Sequence, residues 1–159
     1  VDKKQMRGII NDVLQKLGDK YTNPKALDLV YNTGLVESKY VYLKQIKGPA
    51  VGWFQIEEWV GISLIKDYLQ FRESLMKKVA DVCKIDWKYF IDPKEDDWRY
   101  ILTVNIAAQI VFCRLHYWRV PKSLPSTIEQ QASQWKQYYN TAKGRGTESK
   151  FIEIVKKYG

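Results

Sequence analysis

Apolar residues recur along most of this chain at steps of three and four, the spacing that gathers them on one side of a helix. Ile9, Ile10, Val13, Leu14 and Leu17 keep that rhythm and Gly18 stands as a stop, predicting an amphipathic helix over residues 3–17. Asn23-Pro24, a capping side chain followed by proline at a first helical position, opens a second helix that runs to about Ser38. Between Tyr40 and Gln55 the helical rhythm lapses. Tyr40-Val41-Tyr42-Leu43 has strand propensity and Gly48-Pro49 and Gly52 punctuate the rest of that stretch, so a loop or small irregular hairpin is expected there.

Helical spacing returns over residues 57–83 through Ile62, Ile65, Leu69, Leu75, Val79 and Val82, with room for one break, and Asp92-Pro93 marks a turn. Trp98 to Trp118 is apolar nearly all round, as befits a helix buried at the centre of a domain, and Pro121 and Pro125 close it. Ser126-Thr127-Ile128-Glu129 fits a capping box for a helix to about Asn140. A last helix, after a loop over 141–147, carries Phe151, Ile152, Val155 and Tyr158. The expected fold class is mainly α: one domain over residues 1–159, a buried central helix, and a small loop or β-hairpin element around residues 40–55.

One polar residue breaks the pattern. Leu27, Val30, Gly34 and Glu37 succeed one another at steps of three, four and three, so Glu37 continues an inward-facing stripe. Burial and the carbonyl end of the helix both raise a carboxyl pKa, the condition for a general acid near neutral pH, and Gly34 one turn earlier is expected to leave open space for a sugar. Alternatively Glu37 sits at a frayed helix end, facing water or paired with Lys39 or Lys44, and pattern alone favours that arrangement.

Composition narrows the partners only a little. The net charge of +8 favours polyanions, whether nucleic acid, an anionic membrane surface or the acidic polymers of a bacterial envelope, but the lysines are dispersed and no basic run exceeds two. Charge alone is the argument for a nucleic-acid-binding helical domain, and no nucleic-acid module is recognisable, so no nucleic acid is expected as partner. One histidine, His116, and no CxxC or HxxxH spacing argue against a metal site, and no cofactor is expected. Cys83 and Cys113 fit two free thiols in helices at least as well as one bridge. The first residues are too polar for a signal peptide, and Asn105, Gln109, Arg114 and His116 interrupt the longest apolar stretch, so no transmembrane segment is expected.

Glu37-Ser38 followed by Pro49-Ala50-Val51-Gly52-Trp53-Phe54-Gln55-Ile56 resembles the Glu-Ser pair and the Gly-Ala-x-Gly-Leu-Met-Gln-Ile segment of soluble lytic transglycosylases in the lysozyme-like superfamily. Asn105-Ile106 through Phe112 is similar to that family's Asn-Ile-x-x-Gly-x-x-Tyr helix, and Tyr138-Tyr139-Asn140-Thr141-Ala142-Lys143-Gly144 to its Ala-Tyr-Asn-Ala-Gly segment. The wording of the first segment looks closest to virion-associated or lytic proteins of bacteriophages. Pro49 replaces the first glycine of the run, Gln109 the glycine of the helix motif and Phe112 its tyrosine, which removes a hydroxyl that the family can place near substrate.

The resemblance implies a lysozyme-like fold that cleaves peptidoglycan between N-acetylmuramic acid and N-acetylglucosamine. It makes Glu37 the catalytic acid/base, Gln55 a polar group of the cleft, Tyr139 and Asn140 contacts near the scissile bond, and Ser38 a further, weaker inclusion. Trp53, inside the motif, is the best aromatic platform for a sugar, ahead of Tyr42, Trp59 and Trp135. Such a protein acts at the bacterial cell wall or periplasm, as part of a phage virion or lysis system (an endolysin), with peptidoglycan glycan strands as partner. A hydrolytic muramidase needs a second carboxylate, with Glu57 ahead of Glu58 and Asp67, though Glu57 equally fits a first helical turn. A third reading is an inactive glycan-binding or structural virion component. His116 is assigned packing or capping.

Overall fold

A computed structural model of the chain describes residues 1–140 and 144–159. Asp2 caps the first helix, α1 (Lys3–Leu17), by accepting from the Gln5 N–H, and Met6, Ile10, Leu14 and Leu17 form its buried stripe. Ile9, expected on that stripe, is exposed, because the sequence of inward positions starts from Met6. Gly18, at φ 137°, takes the chain out of the helix. A short 3-10 turn (Asp19–Tyr21) leads to Asn23, whose side-chain oxygen accepts from the Ala26 N–H and starts α2 (Pro24–Ser38) where the sequence places it.

The segment 57–83 breaks once, as allowed. α3 (Glu58–Asp67) ends in a 3-10 turn (Leu69–Phe71) before α4 (Glu73–Cys83), and a single helical turn, α5 (Lys88–Ile91), precedes α6 (Glu95–Val104) and α7 (Ile106–Trp118). The long apolar run from Trp98 to Trp118 is therefore two helices, not one. Asn105 divides it: its backbone is extended, its side-chain oxygen accepts from the Ala108 N–H, and its amide donates to the Cys83 carbonyl, so it caps α7 instead of continuing α6.

α7 is the centre of the molecule. α1, α2, α3, α4 and α6 pack on it, burying Ile110, Val111, Phe112 and Leu115, each worth roughly 1.5–3 kcal/mol when removed from water. Arg114 is buried there too, its Nε–H donating to the Tyr21 carbonyl at 2.8 Å. α8 (Ile128–Gln134) is capped by Thr127, which accepts from the Gln130 N–H, while the Gln130 side chain accepts from the Ser126 N–H. This reciprocal capping lies one residue beyond the expected Ser126–Glu129 pair. The chain then widens into a π-helical segment (Trp135–Asn140), and α9 (Glu148–Tyr158) comes last with Phe151 buried.

No strand occurs among the described residues. In place of a hairpin, residues 44–56 form an irregular turn with two isolated antiparallel bridges, Lys44 with Val51 and Val51 with Ile56. Gly52, at φ 79°, passes so close to α6 and α7 that a Cβ there would lie 2.5 Å from the Leu102 carbonyl oxygen, and that approach bends the segment away from strand geometry. Cys83 and Cys113 are both buried and free, and no described helix is long and apolar enough to cross a membrane.

Candidate active site

Glu37 occupies the last turn of α2, which ends as Lys39 enters the left-handed region at φ 53°. The residue is only partly covered, but its carboxyl is desolvated enough to push its pKa up to about 8. Burial is the cause, opposed weakly by a long hydrogen bond, 3.4 Å, in which the Trp135 indole N–H donates to Glu37 Oε1. Trp135 begins the π-helical segment and is held from two sides. Phe151 of α9 packs on its ring, and the Gly146 backbone lies so close that a Cβ would stand 2.3 Å from the indole.

α7 supplies the wall behind the carboxyl. Gln109, Cys113 and Tyr117 succeed one another at steps of four and form one stripe. The Thr33 hydroxyl spends its proton on the Leu29 carbonyl at 2.7 Å, so the Tyr117 hydroxyl donates to it at 2.9 Å. Tyr139 stacks on Tyr117 with ring centroids 5.2 Å apart, and its hydroxyl donates to the Phe54 carbonyl at 2.6 Å, bolting the π-helical segment to the 44–56 turn. Burial first, and then the charge of Glu37 among other neighbours, raises the pKa values of Cys113, Tyr117 and Tyr139. His116 plays the packing role expected of it: Nε2–H donates to the Tyr138 carbonyl at 2.8 Å and burial lowers its pKa.

Ser38 and Trp53, expected on a cleft wall, are interior. The Ser38 hydroxyl donates to the Trp53 carbonyl at 2.6 Å and accepts from the Tyr40 N–H, clamping α2 to the turn. The Trp53 N–H donates to Gln109 Oε1 at 2.9 Å and Gln109 Nε2 donates to the Thr103 carbonyl, while the Trp53 ring meets Tyr40 edge-on. Gln109 is thus a strut where the family's motif has glycine. Gly34 leaves no room for a sugar. The Tyr40 ring fills that space, since a Cβ on Gly34 would stand 2.3 Å from the Tyr40 hydroxyl, which donates to the Tyr31 carbonyl.

Gln55 lies in the turn, partly exposed at φ 50°, its side-chain amide donating to the Gly52 carbonyl at 2.9 Å. Asn140 accepts from Lys136 Nζ at 2.9 Å, and its side chain abuts Gly144. Of the segment from Tyr138 to Gly144, positions 141–143 lie outside the described residues. Glu57 precedes α3 and accepts a hydrogen bond from the Trp59 indole; Glu58 pairs with Arg99 at 3.8 Å and Asp67 accepts from Ser63. Hydrogen bonds therefore tie Ser38 to the Trp53 carbonyl and Tyr139 to the Phe54 carbonyl, while the Glu37 carboxyl is held separately by the Trp135 indole. Sequence reasoning named Trp135 only as a sugar platform and gave Cys113 and Tyr117 no role at the site, because α7 is apolar nearly all round and its spacing marks no one face.

Among the described residues, two surface hollows, of about 480 and 360 Å³, are lined by residues other than Glu37. Comparison with protein-family models, with curated proteins and with solved structures gave no match.

Proposed function

We propose that this chain is a lysozyme-like lytic transglycosylase that cleaves peptidoglycan between N-acetylmuramic acid and N-acetylglucosamine, with Glu37 as its single acid/base. The observation that carries the reading is the Glu37 carboxyl itself, held at the end of a buried helix with a pKa of about 8 and therefore protonated at neutral pH. The motif resemblance from Glu37-Ser38 to Gln55-Ile56 supports the same assignment.

A protonated Glu37 gives its proton to the glycosidic oxygen as the bond from the muramic acid C1 breaks. The resulting carboxylate takes the proton of the muramic acid 6-hydroxyl while O6 bonds to C1, closing a 1,6-anhydro ring. The proton returns to Glu37 and no water is consumed. A hydrolytic muramidase instead requires a second carboxylate, and Glu57, occupied by the Trp59 indole, does little to recommend itself. Gln55 and Asn140, both partly exposed, are the polar groups that line the approach in this reading.

A second reading, a glycan-binding or structural component without turnover, draws support from one observation: the space beside Gly34 is filled by Tyr40. Mass spectrometry of digested peptidoglycan separates the readings. Anhydromuropeptides that vanish with Glu37→Gln are the expected products; reducing-end muramic acid would point to hydrolysis, and binding to peptidoglycan with no released fragment to the inactive component.

A further inference from the structure

The smaller hollow sits where the 3-10 turn before α2, the end of α3, the start of α4 and the end of α7 meet. Tyr21, beside it, precedes α2, so Glu37 lies about 20 Å away along that helix at 1.5 Å per residue. Its volume of about 360 Å³ falls within the range of small-ligand sites, about 300–1,000 Å³. Tyr21, Tyr68 and Trp118 give it aromatic walls, the Tyr21 and Trp118 centroids standing 4.7 Å apart. Tyr21 is buried and Arg72 covers the Tyr68 ring, so Trp118, partly exposed, is the ring that meets the C–H side of a sugar.

Cations surround those rings. Arg72 lies over the Tyr68 ring at 3.9 Å and one of its amino groups donates to the Tyr68 carbonyl, fixing the guanidinium while leaving its other N–H groups uncommitted. Lys20 stands 5.5 Å from the Tyr21 ring. Among the described residues neither Lys20 nor Arg72 forms an ion pair, and the one carboxylate lining the hollow, Glu73, is matched by Lys77 at 3.1 Å. The Arg119 guanidinium stands 6.0 Å from the Tyr68 ring centroid, and its buried Nε has no hydrogen-bond partner among the described residues. Aromatic faces suit a sugar ring, and an oriented guanidinium with a nearby ammonium suits an oxyanion on it.

We propose that this hollow is a second binding site, distinct from Glu37, for an acidic saccharide: a sugar ring bearing a carboxylate or a phosphate. The site stands independently of the function proposed for Glu37. Its test is an NMR titration of the ¹⁵N-labelled full chain with N-acetylmuramic acid, N-acetylglucosamine 1-phosphate, N-acetylglucosamine and inorganic phosphate. At least one acidic sugar is expected to shift the amides of Lys20, Tyr21, Tyr68 and Ser74 and the Trp118 indole, and the two acidic arms tell a carboxylate source from a phosphate source. Binding should weaken at least tenfold in the K20Q/R72Q double variant and strengthen in E73Q, which removes the one lining carboxylate; both changes are at exposed side chains. Shifts confined to other parts of the chain, equal binding of the neutral sugar, equal binding of inorganic phosphate, or unchanged affinity in both variants would overturn the proposal. Repeating the titration with Glu37→Gln keeps the two sites apart, because that variant should bind the acidic sugar as the parent chain does whether or not the parent cuts glycan.

Discussion

Replacing Glu37 with Gln tests the site through stability as well as activity, because a carboxyl held far from its ordinary pKa makes folding depend on pH. The value rises from 4.5 to about 8 on burial. The folded state therefore binds the proton more tightly than the unfolded chain, and Glu37 costs nothing while both states hold it protonated, below pH 4.5. The cost grows at about 1.4 kcal/mol per pH unit from there to pH 8, and is constant above, at roughly 5 kcal/mol. Glutamine keeps the shape and can still accept from the Trp135 indole, but it has no proton to lose. Any penalty for its buried NH₂ group, about 1–3 kcal/mol, does not vary with pH and drops out of the comparison. Thermal unfolding of both chains at about pH 5 and pH 8.5 reads the difference: at about 2–4 °C per kcal/mol for a chain of this size, the Glu37→Gln variant should gain roughly 8–16 °C relative to the parent between the two pH values. Parallel Tm-against-pH curves for the two chains would refute a desolvated Glu37, and with it the reason to regard Glu37 as a proton donor at neutral pH.

Activity, where cleavage is observed, should show the same group as an alkaline limb: kcat/KM falls as pH rises through about 8, because only protonated Glu37 can donate. Trp135→Phe removes the indole donor that holds the pKa down, so that limb should move upward by a small step, measured in a pH-rate profile. Tyr139→Phe leaves the Phe54 carbonyl without its partner and should lower stability by about 1–3 kcal/mol in urea titration. Gly34→Ala drives a methyl group into the Tyr40 ring and should cost about 1–3 kcal/mol or more; a neutral effect would mean that the space beside Glu37 is open after all. Burial lifts the Cys83 thiol to a pKa of about 12 and raises that of Cys113 as well, so thiol reagents should label the native chain slowly and the urea-unfolded chain fast.

Much of the fold was legible because its signals are local. Asn23-Pro24 declares the start of α2 through a side-chain bond to a residue three positions on, and Gly18 ends α1 through a backbone conformation that only its own φ requires. The break at Asn105 is local as well, yet the apolar run on both sides of it hid the capping side chain. The strand propensity of Tyr40 to Leu43 gave way to tertiary packing. Tyr40 turns inward to fill the space beside Gly34, and Gly52 is pressed against α6 and α7, so no regular ladder forms.

The site divides along the same line. Glu37 could be singled out because a carboxylate on an apolar stripe is an anomaly visible in one helix, whereas its surroundings come from partners far away in sequence. Trp135 reaches it from 98 positions along the chain, and Tyr139 reaches Phe54 from 85. Gln109 illustrates the point most sharply. In the sequence it is a departure from a glycine motif, but in the folded chain its side-chain amide joins the Trp53 backbone N–H to the Thr103 carbonyl, on the same stripe of α7 as Cys113 and Tyr117. α7 is hydrophobic nearly all round, so its period reveals no face, and only the partners of those three residues distinguish a wall from a core. The raised pKa of Glu37 is a consequence of burial: the elements brought together around it exclude water from its carboxyl, and the long Trp135 bond offsets part of the loss.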